Sequence, residues 1–208
     1  PARYRRGVPV WGDPSLPDIA RVTRSAAVLA AVRSATAGTA TGEQAAAPFG
    51  HGRWLFSHNG RLEGWPESAA ALDGAPAALL SLEAMVDSAF LWALTLGRLR
   101  AGRAMDAALE ETVAAVTAAG GTGRFNFLLT DGRSVAATAY GDSLWYRQTD
   151  DAVTVASEPD DDEAGWTEVP DRCLLTATAR AVRTRPLSAA GRPFPAIQDL
   201  RTEGTLTA

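Results

Sequence analysis

The chain has one cysteine, Cys173, and no lysine; its 20 basic side chains are all arginine. A lone cysteine excludes an internal disulfide and fits a reducing cytoplasm. Missing lysine beside abundant Ala and Arg is the bias expected of a GC-rich bacterial genome. Long apolar runs are absent too, so no segment reads as a membrane span, and no signal peptide is visible. The formal net charge is −4 and the only basic group is the short Arg3, Arg5, Arg6 set. That balance excludes a nucleic-acid surface. No Gly-rich phosphate loop opens a helix and no repeat recurs. His51 and His58 are not spaced with Cys or carboxylates as metal ligands would be. The first residue is Pro1 rather than Met, so a further N-terminal segment is expected.

What is present is a composition of 46% hydrophobic and 21% charged residues over 208 positions, enough for one globular domain with a real core. That domain is expected over residues 1–187, with 188–208 as an irregular tail mixing Pro, Gly, Thr and charge. Asp18 to Ser25 follows a Pro-rich turn and suits a short helix. The small apolar run Ala27 to Arg33 predicts a buried strand. Arg53 to His58 alternates Trp54, Phe56 and His58 with Leu55 and Ser57, a second strand that Asn59-Gly60 should end. Ser34 to Phe49 and Gly64 to Pro76 read as loops. Two helices follow, Asp87 to Ala101 and Ala104 to Ala119, the first with Phe90, Leu91, Leu94 and Leu99 inward and Asp87 or Ser88 as N-cap. Strands are then expected at Phe125 to Thr130, Ser134 to Tyr140, Ser143 to Arg147, Ala152 to Ser157, Arg172 to Ala179 and Ala181 to Leu187, several joined by tight turns. Consecutive strands with short links imply antiparallel pairing. The expected class is α+β: two stacked antiparallel sheets with helices on the outer faces.

Three features carry chemistry. Arg33 closes an apolar run, where a guanidinium must be paired and suits a carboxylate; a structural ion pair would serve equally. Asn59-Gly60 can aim a side-chain amide and a backbone N–H at one point, as an oxyanion hole requires, though the same dipeptide also makes ordinary turns. Asp87 at a helix start can hold a cation or simply cap the helix. Together, a guanidinium, a carboxylate and an oxyanion hole match the α-carboxylate, α-amino group and scissile carbonyl of a γ-glutamyl compound. Analogues lacking either charge would leave a desolvated partner behind.

Several runs carry a resemblance: residues 28–36 (VLAAVRSAT), 47–49 (APF), 53–60 (RWLFSHNG), 86–88 (VDS), 126–132 (NFLLTDG), 136–142 (AATAYGD), 155–159 (VASEP) and 165–170 (GWTEVP). The chain resembles the class II glutamine amidotransferases, N-terminal-nucleophile hydrolases with an αββα sandwich. Within them it is most similar to the ergothioneine-pathway branch, which removes glutamate from γ-glutamyl-hercynylcysteine sulfoxide. The resemblance implies that Arg33 binds the α-carboxylate, Thr36 lines its pocket, Asn59 and the Gly60 N–H hold the oxyanion, and Asp87 binds the α-amino group. It implies a cysteine nucleophile at the start of the mature chain, whose own amine acts as base, and no metal or organic cofactor. Neither that cysteine nor the family's first strands are among these residues, so the remaining partner is a missing N-terminal segment of the same protein. Cys173, in the apolar run Cys173-Leu-Leu175, reads as an inert buried thiol. The chain as it stands is therefore expected to be inactive. Val32 stands where many class II enzymes carry histidine. Two alternatives stay open: a non-catalytic member that binds a γ-glutamyl ligand or a protein, and a glutaminase domain feeding ammonia to a partner synthase.

Overall fold

A computed structural model describes residues 1–33, 42–72, 74–161 and 164–188. Its centre is a six-stranded antiparallel sheet and a smaller three-stranded one. In chain order the strands are β1 (Phe49–His51), β2 (Trp54–Leu62), β3 (Gly123–Thr130), β4 (Ser134–Ala139), β5 (Trp145–Gln148), β6 (Val153–Ala156), β7 (Trp166–Glu168), β8 (Cys173–Thr178) and β9 (Ala181–Pro186). The larger sheet runs β1-β2-β3-β4-β8-β9 and the smaller β6-β5-β7. The described helices are α1 (Leu16–Val22), α2 (Ala75–Leu79), α3 (Asp87–Arg100) and α4 (Met105–Ala118).

Alternation along β2 and β3 builds the two faces of the larger sheet. Phe56, Leu62, Phe125, Phe127 and Leu129 are buried together with Phe90, Leu91 and Leu94 of α3 and Leu109, Val113 and Val116 of α4. Burying side chains of this size stabilises by roughly 2–3 kcal/mol each, so the β2–β3–α3–α4 layer is the main source of stability. On the opposite face, Ala137, Ala139, Leu175 and Ala177 meet Leu144, Tyr146, Val153 and Val155 of the smaller sheet and its approach. The two sheets are thus stacked, with α3 and α4 over the larger one.

Both long helices begin and end within a residue of the sequence expectation. α4 stops because Gly120 takes φ +80°, and the Gly121 N–H reaches the Val116 carbonyl at 2.9 Å. The Asp131-Gly132 hairpin forms as expected: the Asp131 carboxylate accepts the Arg133 and Ser134 N–H groups at 3.0 Å each.

Two strand expectations fail. Ala27 to Arg33 forms no strand: Leu29 is buried, but Val28 and Val32 are 77% and 86% exposed. An apolar run becomes a strand only when a neighbour takes its backbone hydrogen bonds, and among the described residues this one has no such ladder. Nor does Asn59-Gly60 end β2. The strand continues to Leu62, paired in register as Asn59 with Asn126, Gly60 with Phe125 and Leu62 with Gly123. Short strands β1 and β7 and helix α2 were not foreseen; each is five residues or fewer, too short to show a period. The region 189–208, expected as a tail, lies outside the described residues.

One ion pair ties the outer strand to the helices. Arg185 on β9 donates twice to Glu110 of α4 at 2.8 Å, and the Ser188 N–H adds a third bond at 2.7 Å. Arg185 first, then Ser188, holds the Glu110 carboxyl down at about 2 from an ordinary 4.5. A lowered carboxylate contributes stability at neutral pH and loses it as pH falls from about 4.5 to about 2. Because the Arg185 side chain is 43% exposed, the pair is worth no more than about 1 kcal/mol. Urea unfolding of Glu110→Gln should therefore show a small loss at pH 7 and a flatter acid limb; an unchanged limb would refute the assignment.

Candidate functional site

The end of β2 and the start of α3 lie against each other. Val86 is the N-cap residue of α3, so Asp87 is its first helical position rather than the cap. The Asp87 carboxylate accepts the Leu62 N–H at 2.9 Å and the Ser88 N–H at 2.7 Å. A carboxylate here also faces the positive end of the helix dipole. Asp87 thereby locks α3 to β2 two residues beyond Gly60.

Gly60 has φ +137°, and a Cβ placed on it would sit 2.1 Å from the Arg124 carbonyl oxygen. Glycine is required at this point for a close approach between strands, not for a turn. That is why the Asn-Gly signal misled as a strand terminus. Asn59 pairs with Asn126 across β2 and β3, so their side chains share a face of the sheet, opposite the α3 side. Asn59 is exposed, and among the described residues nothing hydrogen-bonds its amide.

Asn126 is buried and fully used. Its Nδ2 donates to the Asp142 and Ser143 carbonyls at 2.9 and 3.0 Å. Its Oδ1 accepts the Tyr140 and Asp142 N–H groups at 2.8 and 3.3 Å. It pins the 140–143 turn, from which Asp142 takes the Arg124 Nε–H at 2.8 Å. Sequence reasoning missed Asn126 as a site element; a polar residue inside the apolar run Phe125 to Leu129 was the available signal. His58 was missed as well. Its Nε2 lies 2.9 Å from the Arg124 carbonyl and its Nδ1 3.0 Å from Ser88 Oγ. Burial pushes its pKa below 6.5, against the opposing pull of the Arg124 carbonyl and Asp87.

The structure thus sets Asp87 against Leu62, two residues beyond Gly60, while the Asn59 side chain stands on the opposite face of the sheet. Arg33 belongs to a different segment: it is exposed, and its Nη1 reaches the Ala45 carbonyl at 3.5 Å. Ala45 shortly precedes β1, and β1 pairs antiparallel with β2 from Phe49 opposite Phe56. Chain before Phe49 therefore heads toward the Asn59-Gly60 end of β2. Thr36 lies outside the described residues. Cys173 is half-buried on β8, three strands from β2 and about 14 Å across the sheet. Among the described residues no group of His, Cys, Asp and Glu is arranged to hold a metal ion. No described helix is long and apolar enough to cross a membrane.

The sequence model of the class-II glutamine amidotransferases matches residues 18–162, and the chain belongs to that family. It is 39% identical over 193 residues to the γ-glutamyl-hercynylcysteine sulfoxide hydrolase of Mycobacterium tuberculosis, which spans 93% of this chain and 76% of that protein. To the protein of the same name from Mycolicibacterium smegmatis it is 40% identical over 185 residues, 89% of this chain and 75% of the relative. A solved glutamine aminotransferase class-II domain protein from Silicibacter pomeroyi shares the fold, with a TM-score of 0.65 at 24% identity over 93% of this chain and 87% of that one.

Proposed function

We propose that the protein is a γ-glutamyl amidohydrolase that releases glutamate from γ-glutamyl-hercynylcysteine sulfoxide. The observation that carries this is the Asp87 carboxylate bonded to the Leu62 N–H, two residues along β2 from Gly60, in a chain about two-fifths identical to hydrolases of that name. Asp87 takes the substrate's α-ammonium, and Arg33 takes its α-carboxylate. The Asn59 amide and the Gly60 N–H receive the oxyanion that forms when a thiolate attacks the γ-carbonyl. Collapse expels the amine, which leaves with a proton, and forms a glutamyl thioester; water then cleaves the thioester to glutamate and free thiol.

The thiol in this reading is not Cys173. At about 14 Å from β2 its sulfur cannot reach a carbonyl held at Asn59. The nucleophile is a cysteine outside these 208 residues, and a free α-amine, with a pKa near 8, can serve as its base. The 208-residue chain alone is inactive in this reading, and the hydrolase acts in the cytoplasm.

Glutamate release by the protein carrying that cysteine is the test. Arg33→Ala and Asp87→Asn should each lower kcat/KM by roughly 10–100-fold, as expected when a charge of the substrate loses its partner. Glutamate release that survives Arg33→Ala unchanged would overturn the reading. Ammonia release from glutamine, without cleavage of the sulfoxide substrate, would favour a glutaminase domain instead.

A further inference from the structure

We infer that His58 is a positioning residue: its neutral ring clamps the first turn of α3 to the Arg124 carbonyl beside Gly60, and so fixes Asp87 relative to the Asn59-Gly60 pair. The inference rests on the γ-glutamyl reading of that site and adds a proton-sensitive control to it.

The ring touches three elements. It stands on β2, its Nε2 meets the Arg124 carbonyl of β3 at 2.9 Å, and its Nδ1 meets Ser88 Oγ of α3 at 3.0 Å. Phe125 and Phe127 pack against it, with ring centroids 6.5 and 5.3 Å away. A carbonyl only accepts, so Nε2 carries the hydrogen. Neutral Nδ1 then has a lone pair, and Ser88 Oγ–H donates to it. The Arg124 oxygen so held is the one that crowds Gly60. Ser88 is also the residue whose N–H holds Asp87 Oδ1 at 2.7 Å. One imidazole thus links both halves of the proposed site.

Protonation would invert one of these bonds. Nδ1–H would donate to Ser88 Oγ, and the hydroxyl hydrogen would turn to its other neighbour, Asp87 Oδ1, at 3.4 Å. That hydrogen would occupy a lone pair of the carboxylate meant for the substrate ammonium. The charged groups facing the ring are Asp87 of α3, Arg124 of β3 and Asp142 of the turn after β4. Asp87 and Asp142 favour the imidazolium, and Arg124 opposes it. Burial is the largest influence and pushes the ring's pKa down from its ordinary value, favouring the neutral form. Glutamate affinity should therefore hold at neutral pH and fall as pH drops through the lowered His58 value.

The test pairs nitrogen NMR of the full 208-residue chain with L-glutamate titrations from pH 5 to 8. Wild type should show the Nε2–H tautomer at pH 7.5, with Ser88 and Leu62 amide shifts that follow the His58 titration. His58→Phe keeps a ring but no polar bridge. It should weaken glutamate binding about tenfold, the worth of one or two hydrogen bonds, and remove the pH-dependent component. His58→Gln can donate to Arg124 and accept from Ser88, so it should recover affinity with a flat acid profile. An Nδ1–H tautomer, or a His58→Phe profile that overlays wild type, would overturn the clamp. If wild type binds no glutamate, the γ-glutamyl reading fails, and the tautomer and the two amide shifts still decide the clamp by themselves.

Discussion

Gly60→Ala should cost about 3 kcal/mol or more and abolish glutamate binding. The new Cβ would stand 2.1 Å from the Arg124 carbonyl oxygen and 2.7 Å from its carbon, both backbone atoms fixed by the β2–β3 ladder. No rotamer relieves such a contact, so the strands must part. The backbone angle, φ +137°, adds strain for any side chain. Parting β2 from β3 here also displaces the Gly60 N–H and the Leu62 N–H that Asp87 accepts. Gly52→Ala is the control: its φ is +55° and no atom lies within 4 Å of the new Cβ. It should cost only about 1 kcal/mol, the penalty of the left-handed conformation alone. Urea midpoints of the two variants check the contrast. Equal midpoints would mean that the Arg124 approach has no energetic weight.

The second large effect is expected at Asn126. Replacing it with Ala removes four hydrogen bonds from a side chain that is 4% exposed and leaves two carbonyls and two N–H groups of the 140–143 turn without their partner. An unsatisfied buried group costs about 1–3 kcal/mol, and the four are linked, so a loss of roughly 3–4 kcal/mol is expected after partial rehydration of the turn. Asn126→Asp is no rescue. It keeps the acceptor for Tyr140 and Asp142 but turns a carboxylate oxygen toward the Asp142 and Ser143 carbonyls. The aspartate variant should be at least as unstable as the alanine one at pH 7. If Asp behaves like wild type, the amide orientation is reversed and the turn is held in another way.

These two residues mark where sequence reading succeeded and where it stopped. Strongly periodic segments were legible: α3 and α4 show their apolar positions at helical spacing, and the Asp131-Gly132 hairpin announces itself by turn chemistry. Those local signals pointed to the class of two stacked antiparallel sheets with paired helices, which the structure lays over the larger sheet. Ala27 to Arg33 failed because strand formation depends on a neighbour, which no local pattern reveals. Asn59-Gly60 failed for a related reason. The dipeptide is favoured both in turns and wherever two backbones must come close, and only the Arg124 carbonyl decides between them. In the candidate site, Asp87 at a helix start and Asn59 inside β2 stand out in the sequence only as side chains able to carry chemistry. His58, Ser88 and Asn126 do not, because their importance lies in hydrogen bonds between segments far apart in sequence.

In the proposed function, Arg33, Asp87 and Asn59-Gly60 together grip the zwitterionic head of a glutamyl group. A titration of the isotopically labelled chain with L-glutamate, followed residue by residue in nitrogen–proton spectra, tests it most directly. The largest shifts should cluster at the Gly60, Leu62 and Ser88 amides and at the Arg33 guanidinium, and Asp87→Asn should remove them. Saturating shifts confined to the smaller sheet, or none at these four residues, would contradict that grip.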